Sequence, residues 1–309
     1  MKNYSQQKKI LIIKFGGLGD VILSLQAMSS IIQHHKLKKV LLTEKPYDDF
    51  FRYSKWFDQI ITMKRSLFYF QDLFQIKRKF NATFFSHVYD LQTSKRSSYY
   101  LKFFKSYDSI TNGIGKYAKI CHDDPKRNNL HTIHRQKNQI SLSKIKYVRD
   151  IKIDWMFNSE ISIPKKKFAL IVPGGSKKRK NKRIPLEIFY GIIDFLLMKR
   201  FKVLVIGSKD DAEICCKIKE KFSEVENLCN RTTLFDLAKL SKFASLSIGN
   251  DTGPMHLISK GNKNTFVFFT KFSSPKLCRP VGENVNIFSF KKDKKIFFLE
   301  VLAKIKTLL

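Results

Sequence analysis

Acidic residues are scarce in this chain. Its 309 residues carry 26 Asp and Glu against 59 Lys and Arg, a formal net charge of +33. So large an excess implies an anionic partner: nucleic acid, an anionic membrane surface or a phosphorylated substrate. Lysine is scattered along the whole chain, so much of the excess is compositional. Cysteine is scarce too. The five, Cys121, Cys215, Cys216, Cys229 and Cys278, are odd in number and form no C-x-x-C pair. A disulfide framework and a zinc site are both excluded as organising devices, and a reducing compartment is expected. Long apolar runs are absent. The run after the basic start Met1–Lys9 is four residues, too short for a signal peptide core, and nothing approaches the roughly 18 residues of a membrane span. The expected location is the cytosol, with a peripheral contact at a membrane allowed by the charge. There is no internal repeat, no P-loop, and no RNP-like, zinc-finger or helix-turn-helix signature.

What is present is a globular composition, 43% hydrophobic with 28 phenylalanines, long enough for two domains with proper cores. Apolar runs alternate with helical spacing. Strands are expected at Ile10–Ile13, Lys39–Thr43, Ile60–Met63 and Thr83–Leu91, and helices at Asp20–His34, Phe68–Arg78 and Tyr99–Phe104. The stretch 112–137 is polar and reads as loop, with a helix over Ser141–Arg149. A boundary near 160–167 divides the chain into expected domains 1–160 and 161–309. Beyond it, strands are expected at Phe168–Val172, Lys202–Ile206, Leu246–Ile248 and Thr265–Phe269. Helices are expected at Pro185–Met198, Asp211–Phe222, Leu234–Ser241, Met255–Ser259 and Phe297–Leu309. The alternation argues for parallel sheets, hence an α/β fold.

Two glycine-containing turns stand out, one in each half. Ile10–Ile13 leads into Gly16-Gly17-Leu18-Gly19-Asp20, and Ser245–Ile248 into Gly249-Asn250-Asp251-Thr252-Gly253-Pro254-Met255-His256. A strand–turn–helix of this kind aims backbone N–H groups at one spot and suits a phosphate. The glycines, Gly17 and Gly19 among them, permit positive φ and close approach of a ligand. Asp20 reads either as a helix N-cap or as a general base at the end of the first strand. The turn also resembles a dinucleotide fingerprint with Glu44 as ribose acid, although Ile22 occupies the last glycine position. A third segment, Pro173-Gly174-Gly175-Ser176, runs through Lys177–Arg183 to Ile184-Pro185. It reads as a diphosphate site that includes Ser176, or as a solvated basic loop. The last turn is either a capped helix with His256 satisfied inside the fold, or a pyrophosphate turn with His256 reaching the ligand.

Together G-G-L-G-D, Asp90-Leu91-Gln92, P-G-G-S…K-R-I-P, Val205–Asp211 and N-D-T-G-P-M-H resemble glycosyltransferase family 9, the heptosyltransferases of lipopolysaccharide core assembly. The resemblance runs from about Lys9 to about Val285. It implies the GT-B fold, two Rossmann-like domains facing a cleft, with a final helix that often packs back on the first. It implies inverting transfer of heptose from ADP-heptose to an anionic glycolipid at the inner leaflet, with no cofactor and no metal; the chain has no D-x-D triplet. Asp20 then matches the catalytic base. Lys182 matches a lysine on the donor phosphates, and Asp251, Thr252, Gly253 and His256 match the donor turn. Thr232 lies where the family's backbone meets adenine, and Asp210 lies within one position of a ribose acid. Ile184 replaces the family's Trp, and the basic loop is about two residues longer. Counting back from Pro185 therefore selects Lys182, and counting forward from Ser176 selects Lys180; the helix start anchors Lys182 better. The rivals are an NAD-dependent enzyme built on Gly16–Asp20 and Glu44, and a basic nucleic-acid-binding protein.

Overall fold

Strand and helix alternate throughout the computed structural model, which describes residues 8–80, 85–105, 108–291 and 293–309. Most of the basic start, and Thr83 and Phe84 of the fourth expected strand, lie outside the described residues. The chain divides into two units, one ending at Trp155 and the other starting at Met156.

In the first unit the strands are β1 (Lys9–Ile13), β2 (Lys38–Thr43), β3 (Gln59–Thr62), β4 (Phe85–Asp90), β5 (Ile110–Gly113) and β6 (Ile120–Cys121). The helices are α1 (Leu18–Leu23), α2 (Leu25–His34), α3 (Tyr47–Arg52), α4 (Tyr69–Phe80), α5 (Lys95–Lys105) and α6 (Thr132–Ser141). The second unit holds β7 (Phe168–Val172), β8 (Lys202–Val205), β9 (Glu226–Asn227), β10 (Leu246–Asn250), β11 (Thr265–Phe269) and β12 (Val285–Ser289). Its helices are α7 (Leu186–Met198), α8 (Ala212–Lys221), α9 (Leu234–Phe243), α10 (Gly253–Ile258), α11 (Pro275–Cys278) and α12 (Lys294–Lys306).

The sheet orders are β3-β2-β1-β4-β5-β6 and β12-β11-β10-β7-β8-β9. Every strand pairing is parallel. Each unit is thus doubly wound in the Rossmann order, and its strand order reverses between the first and fourth strands. Central strands of such sheets are covered on both faces, so they read as unbroken apolar runs. Ile10–Ile13 and Phe168–Val172 are such runs, at most 2% exposed. Each fully buried Ile or Val contributes about 1.5–3 kcal/mol.

Two of the expected helices differ from the sequence reading for identifiable reasons. The helix expected over Ser141–Arg149 is instead α6, which begins inside the stretch that reads as loop and ends at Ser141. Its N-cap is His131, whose side chain accepts from the Ile133 N–H. Its buried residues are Thr132, Gln136, Gln139 and Ile140, so apolar periodicity is nearly absent. Hydrogen bonds replace it. Gln139 Nε2 donates to the Asp90 carbonyl at 2.9 Å and to Asn112 Oδ1 at 3.0 Å, and Gln136 Nε2 donates to Ser24 Oγ at 2.7 Å. The helix expected over Asp20–His34 is broken at Ser24, whose hydroxyl bonds back to the Asp20 carbonyl at 2.6 Å.

The final helix, α12, is capped by Asp293, whose carboxylate accepts from the Ile296 N–H at 2.9 Å. Its buried Phe297, Val301 and Ile305 recur every four residues and join the second unit's own core beside Ile192 and Phe268. Gly191 of α7 lets it approach closely, since a Cβ there would lie 2.8 Å from the Phe298 ring. Among the described residues no helix is long and apolar enough to cross a membrane.

Candidate active site

In open parallel sheets, ligands bind beyond the carboxyl ends of the strands where the strand order reverses. In the first unit that point lies between β1 and β4. The turn after β1 carries Lys14 to Gly17, and the turn after β4 carries Leu91 to Thr93. Gly17, not Asp20, is the N-cap of α1, and it makes no side-chain cap bond. Asp20 is the third residue of the helix, within its first turn and exposed, so it is not the N-cap that competes with general-base chemistry. Gly17 has φ −25°, so positive φ is not the reason for glycine in this turn. Close packing is the reason at Gly16. Its N–H donates to Glu44 Oε1 at 2.7 Å, and a Cβ there would lie 2.8 Å from the same oxygen. Gly19 lies within α1.

Asp20 borders a cavity of about 140 Å³ that also meets Lys14, Gln92, Thr93, Arg127, Arg135 and Gln136. Lys14 is 3% exposed and donates to the Leu91 carbonyl at 3.3 Å. Burial pulls its pKa down, while the charges of Asp20 and Asp90 oppose that shift. Arg127 donates to His122 Nδ1 at 3.2 Å and Arg135 to Thr132 Oγ1 at 2.7 Å, and neither forms an ion pair among the described residues. Three cations therefore face one exposed carboxylate, an arrangement that attracts an anion and leaves a base beside it. Asp90 is fully buried, and burial pushes its pKa up to about 6. Its Oδ1 accepts from the Gln92 and Thr93 N–H groups at 3.0 and 3.1 Å, which holds Thr93 at φ +46°.

In the second unit the order reverses between β7 and β10, and there the P-G-G-S and N-D-T-G-P-M-H segments meet. Asn250, 1% exposed, ties them together. Its Nδ2 donates to the Pro173 carbonyl at 2.6 Å, and its Oδ1 accepts from the Ile184 N–H at 3.1 Å. Lys182 Nζ donates to Asp251 Oδ2 at 2.6 Å, with side chains 17% and 4% exposed. Lys180 is exposed, so Lys182 is the lysine that reaches the β10–α10 turn. Thr252 is the N-cap of α10 without a side-chain cap bond, and Gly253-Pro254 opens the helix. Asp251 therefore serves Lys182 rather than capping α10. His256 is 5% exposed, within the fold at the start of α10. Ser176 is exposed on the turn after β7. Thr232 is partly buried just before the Thr233 N-cap of α9.

Asp210 is exposed, whereas its neighbour Asp211 is woven into the turn. Asp211 accepts from the Gly175 N–H at 2.9 Å, from Arg183 at 3.0 Å and from Ser208. A Cβ on Gly174 would overlap its carboxylate. Arg183 also donates to the Gly175 carbonyl at 2.6 Å. Sequence reasoning missed Asp211, Arg183 and the bridging role of Asn250. The Ser208-x-x-Asp211 spacing of a capping box was the available signal for the first.

A family model described as glycosyltransferase family 9 (heptosyltransferase) matches residues 122–300. The chain belongs to glycosyltransferase family 9. A curated relative, lipooligosaccharide heptosyltransferase 2 of Campylobacter jejuni, is 29% identical over 162 residues, which are 45% of this chain and 50% of that protein. The match thus spans about half the relative's length. Among solved structures, the ADP-heptose lipopolysaccharide heptosyltransferase II of E. coli aligns with a TM-score of 0.75 at 15% identity, covering 97% of this chain and 98% of that one. E. coli heptosyltransferase WaaC with ADP aligns at 0.76 and 16% identity, covering 97% and 100%. These likenesses show that the family 9 chain has the GT-B fold of two Rossmann-like units.

Proposed function

We propose that this protein is an inverting glycosyltransferase that moves a heptose from ADP-heptose to an anionic, lipid-linked acceptor of the lipopolysaccharide inner core. The observation that carries the reading is the Lys182–Asp251 pair at the strand-order reversal of the second unit, beside the Thr252-Gly253 turn. A lysine held by a carboxylate next to a helix start is poised to exchange that carboxylate for a diphosphate. Family membership supports the reaction class, and the matched relatives are heptosyltransferases by description.

In this reading Asp20 takes the proton of the acceptor hydroxyl as its oxygen attacks the anomeric carbon. Charge builds on the sugar ring as the bond to the diphosphate breaks. Lys182 and the N–H groups around Ser176, Thr252 and Gly253 stabilise the leaving ADP electrostatically, without a metal or cofactor. Thr232 sits at the adenine and Asp210 or Asp211 toward the ribose, with Gly17 and Gly19 beside the sugar. Lys14, Arg127 and Arg135 receive the acceptor's anionic group. The protein works in the cytoplasm, in peripheral contact with the inner membrane surface.

The NAD alternative loses its ribose acid. Glu44 accepts from the Gly16 N–H and forms a two-pronged pair with Arg65, at 2.6 Å and 2.8 Å, so both of its oxygens are already engaged within the fold. The nucleic-acid alternative has charge alone behind it. A thermal-shift screen of the purified protein tests the reading. ADP and ADP-heptose raise the melting temperature, and UDP-, GDP- and CDP-sugars and NAD do not. A larger shift with NAD, or with a different nucleotide-sugar, overturns the donor assignment.

A further inference from the structure

Helix α4 turns a buried face inward and an aromatic face to solvent. Inward are Asp72, Ile76 and Phe80, each at most 1% exposed. Outward are Phe70 and Phe74, 64% and 70% exposed, preceded by Leu67 and Phe68 at 96% and 59%. The rings of Phe68 and Phe70 lie 5.8 Å apart. Rolling the helix to bury these groups is blocked by Asp72. Its carboxylate pairs with Arg96, accepts from the Tyr100 hydroxyl, and accepts from the Ser66 N–H at 2.9 Å. A buried carboxylate with three partners fixes which face points inward.

Around the aromatics the charge is of one sign. Lys64, Lys77, Arg78 and Lys79 are exposed, and none forms an ion pair among the described residues. The sole acidic residue between positions 64 and 80 is the buried Asp72. Exposed Phe and Leu beside unpaired Lys and Arg is the signature of a helix lying in a lipid headgroup layer. A protein interface would instead be depleted in lysine at its core.

We infer that the outward face of α4, with Leu67 and Phe68, docks on an anionic lipid bilayer. The inference rests on the reading above, in which the acceptor is lipid-linked, and adds the surface that meets the lipid. The docking segment is tied to the turn that carries Asp20. Arg65, at its start, pairs with Glu44, whose Oε1 accepts from Gly16, and its guanidinium lies 5.2 Å from the centre of the Phe15 ring. The segment also leaves the carboxyl end of β3, the same edge of the sheet as that turn.

The test is sedimentation of the full chain with vesicles, without donor. Vesicles containing phosphatidylglycerol bind it, vesicles of phosphatidylcholine alone do not, and salt weakens the binding. The F70S/F74S double variant keeps its melting temperature and its transfer to a soluble, delipidated acceptor, yet loses affinity for the anionic vesicles by roughly tenfold or more. K77E/R78E weakens it as well. Wild-type affinity in F70S/F74S, or no binding of the wild type to anionic vesicles, overturns the inference. So does a wild-type dimer that F70S/F74S dissociates while vesicle binding stays unchanged, which would give the face to a second copy. Asp20→Asn leaves vesicle binding unchanged, so failure of the catalytic reading is scored separately.

Discussion

Asp20→Asn lowers the transfer rate by roughly 10²–10⁴-fold, the usual cost of losing a general base. ADP affinity stays within a few-fold of wild type. The expectation follows from where Asp20 stands. It lies in the first turn of α1 without being its N-cap, its side chain makes no hydrogen bond among the described residues, and it borders a cavity with Lys14, Arg127 and Arg135. A side chain without a structural bond to lose costs little stability when made neutral, so the melting temperature holds. The amide is nearly the same shape but cannot accept the proton. Steady-state transfer by Asp20→Asn within a few-fold of wild type would remove Asp20 from the chemistry.

Lys182→Ala weakens ADP binding by roughly ten- to a hundredfold, since a hydrogen bond from a charged donor contributes about 1.5–3 kcal/mol. It also lowers the melting temperature. Asp251, whose side chain is 4% exposed, loses the one cation it pairs with among the described residues and remains as a buried, uncompensated charge. Asp251→Asn in the Lys182→Ala background therefore recovers stability without recovering affinity. Lys180→Ala, on an exposed side chain, changes ADP affinity little. Calorimetric titration of the variants with ADP separates these cases. Equal losses at Lys180 and Lys182 would reduce the loop to a diffuse basic patch, and a larger loss at Lys180 would move the phosphate contact two residues back.

The second unit was the more legible. Its central strands are unbroken apolar runs, and Phe168–Val172 and Thr265–Phe269 are where the pattern puts them. Strands of two to five residues with polar or partly buried positions, such as Ile120–Cys121, Glu226–Asn227 and Val285–Ser289, leave too short a pattern to read. Helix α6 escaped because glutamines fill its buried face, and hydrogen bonds carry no periodicity. At the candidate site the turns themselves were visible from their glycines. The cross-connections were not, because they depend on sheet order. Asn250 reaches Pro173 and Ile184 only because β10 and β7 are neighbours. The choice between Asp210 and Asp211 is likewise made by which carboxylate the 3₁₀ turn points inward, toward Gly175 and Arg183.

Hydrogen exchange of the full chain with and without ADP, read by mass spectrometry, reports whether the nucleotide sits at the strand-order reversal of the second unit. ADP then protects backbone amides across Thr252–His256 and Gly174–Ser176, where two turns meet through Asn250. Strong protection confined to Gly16–Gly19 and the Glu44 region would contradict the donor site and the glycosyltransferase mechanism built on it.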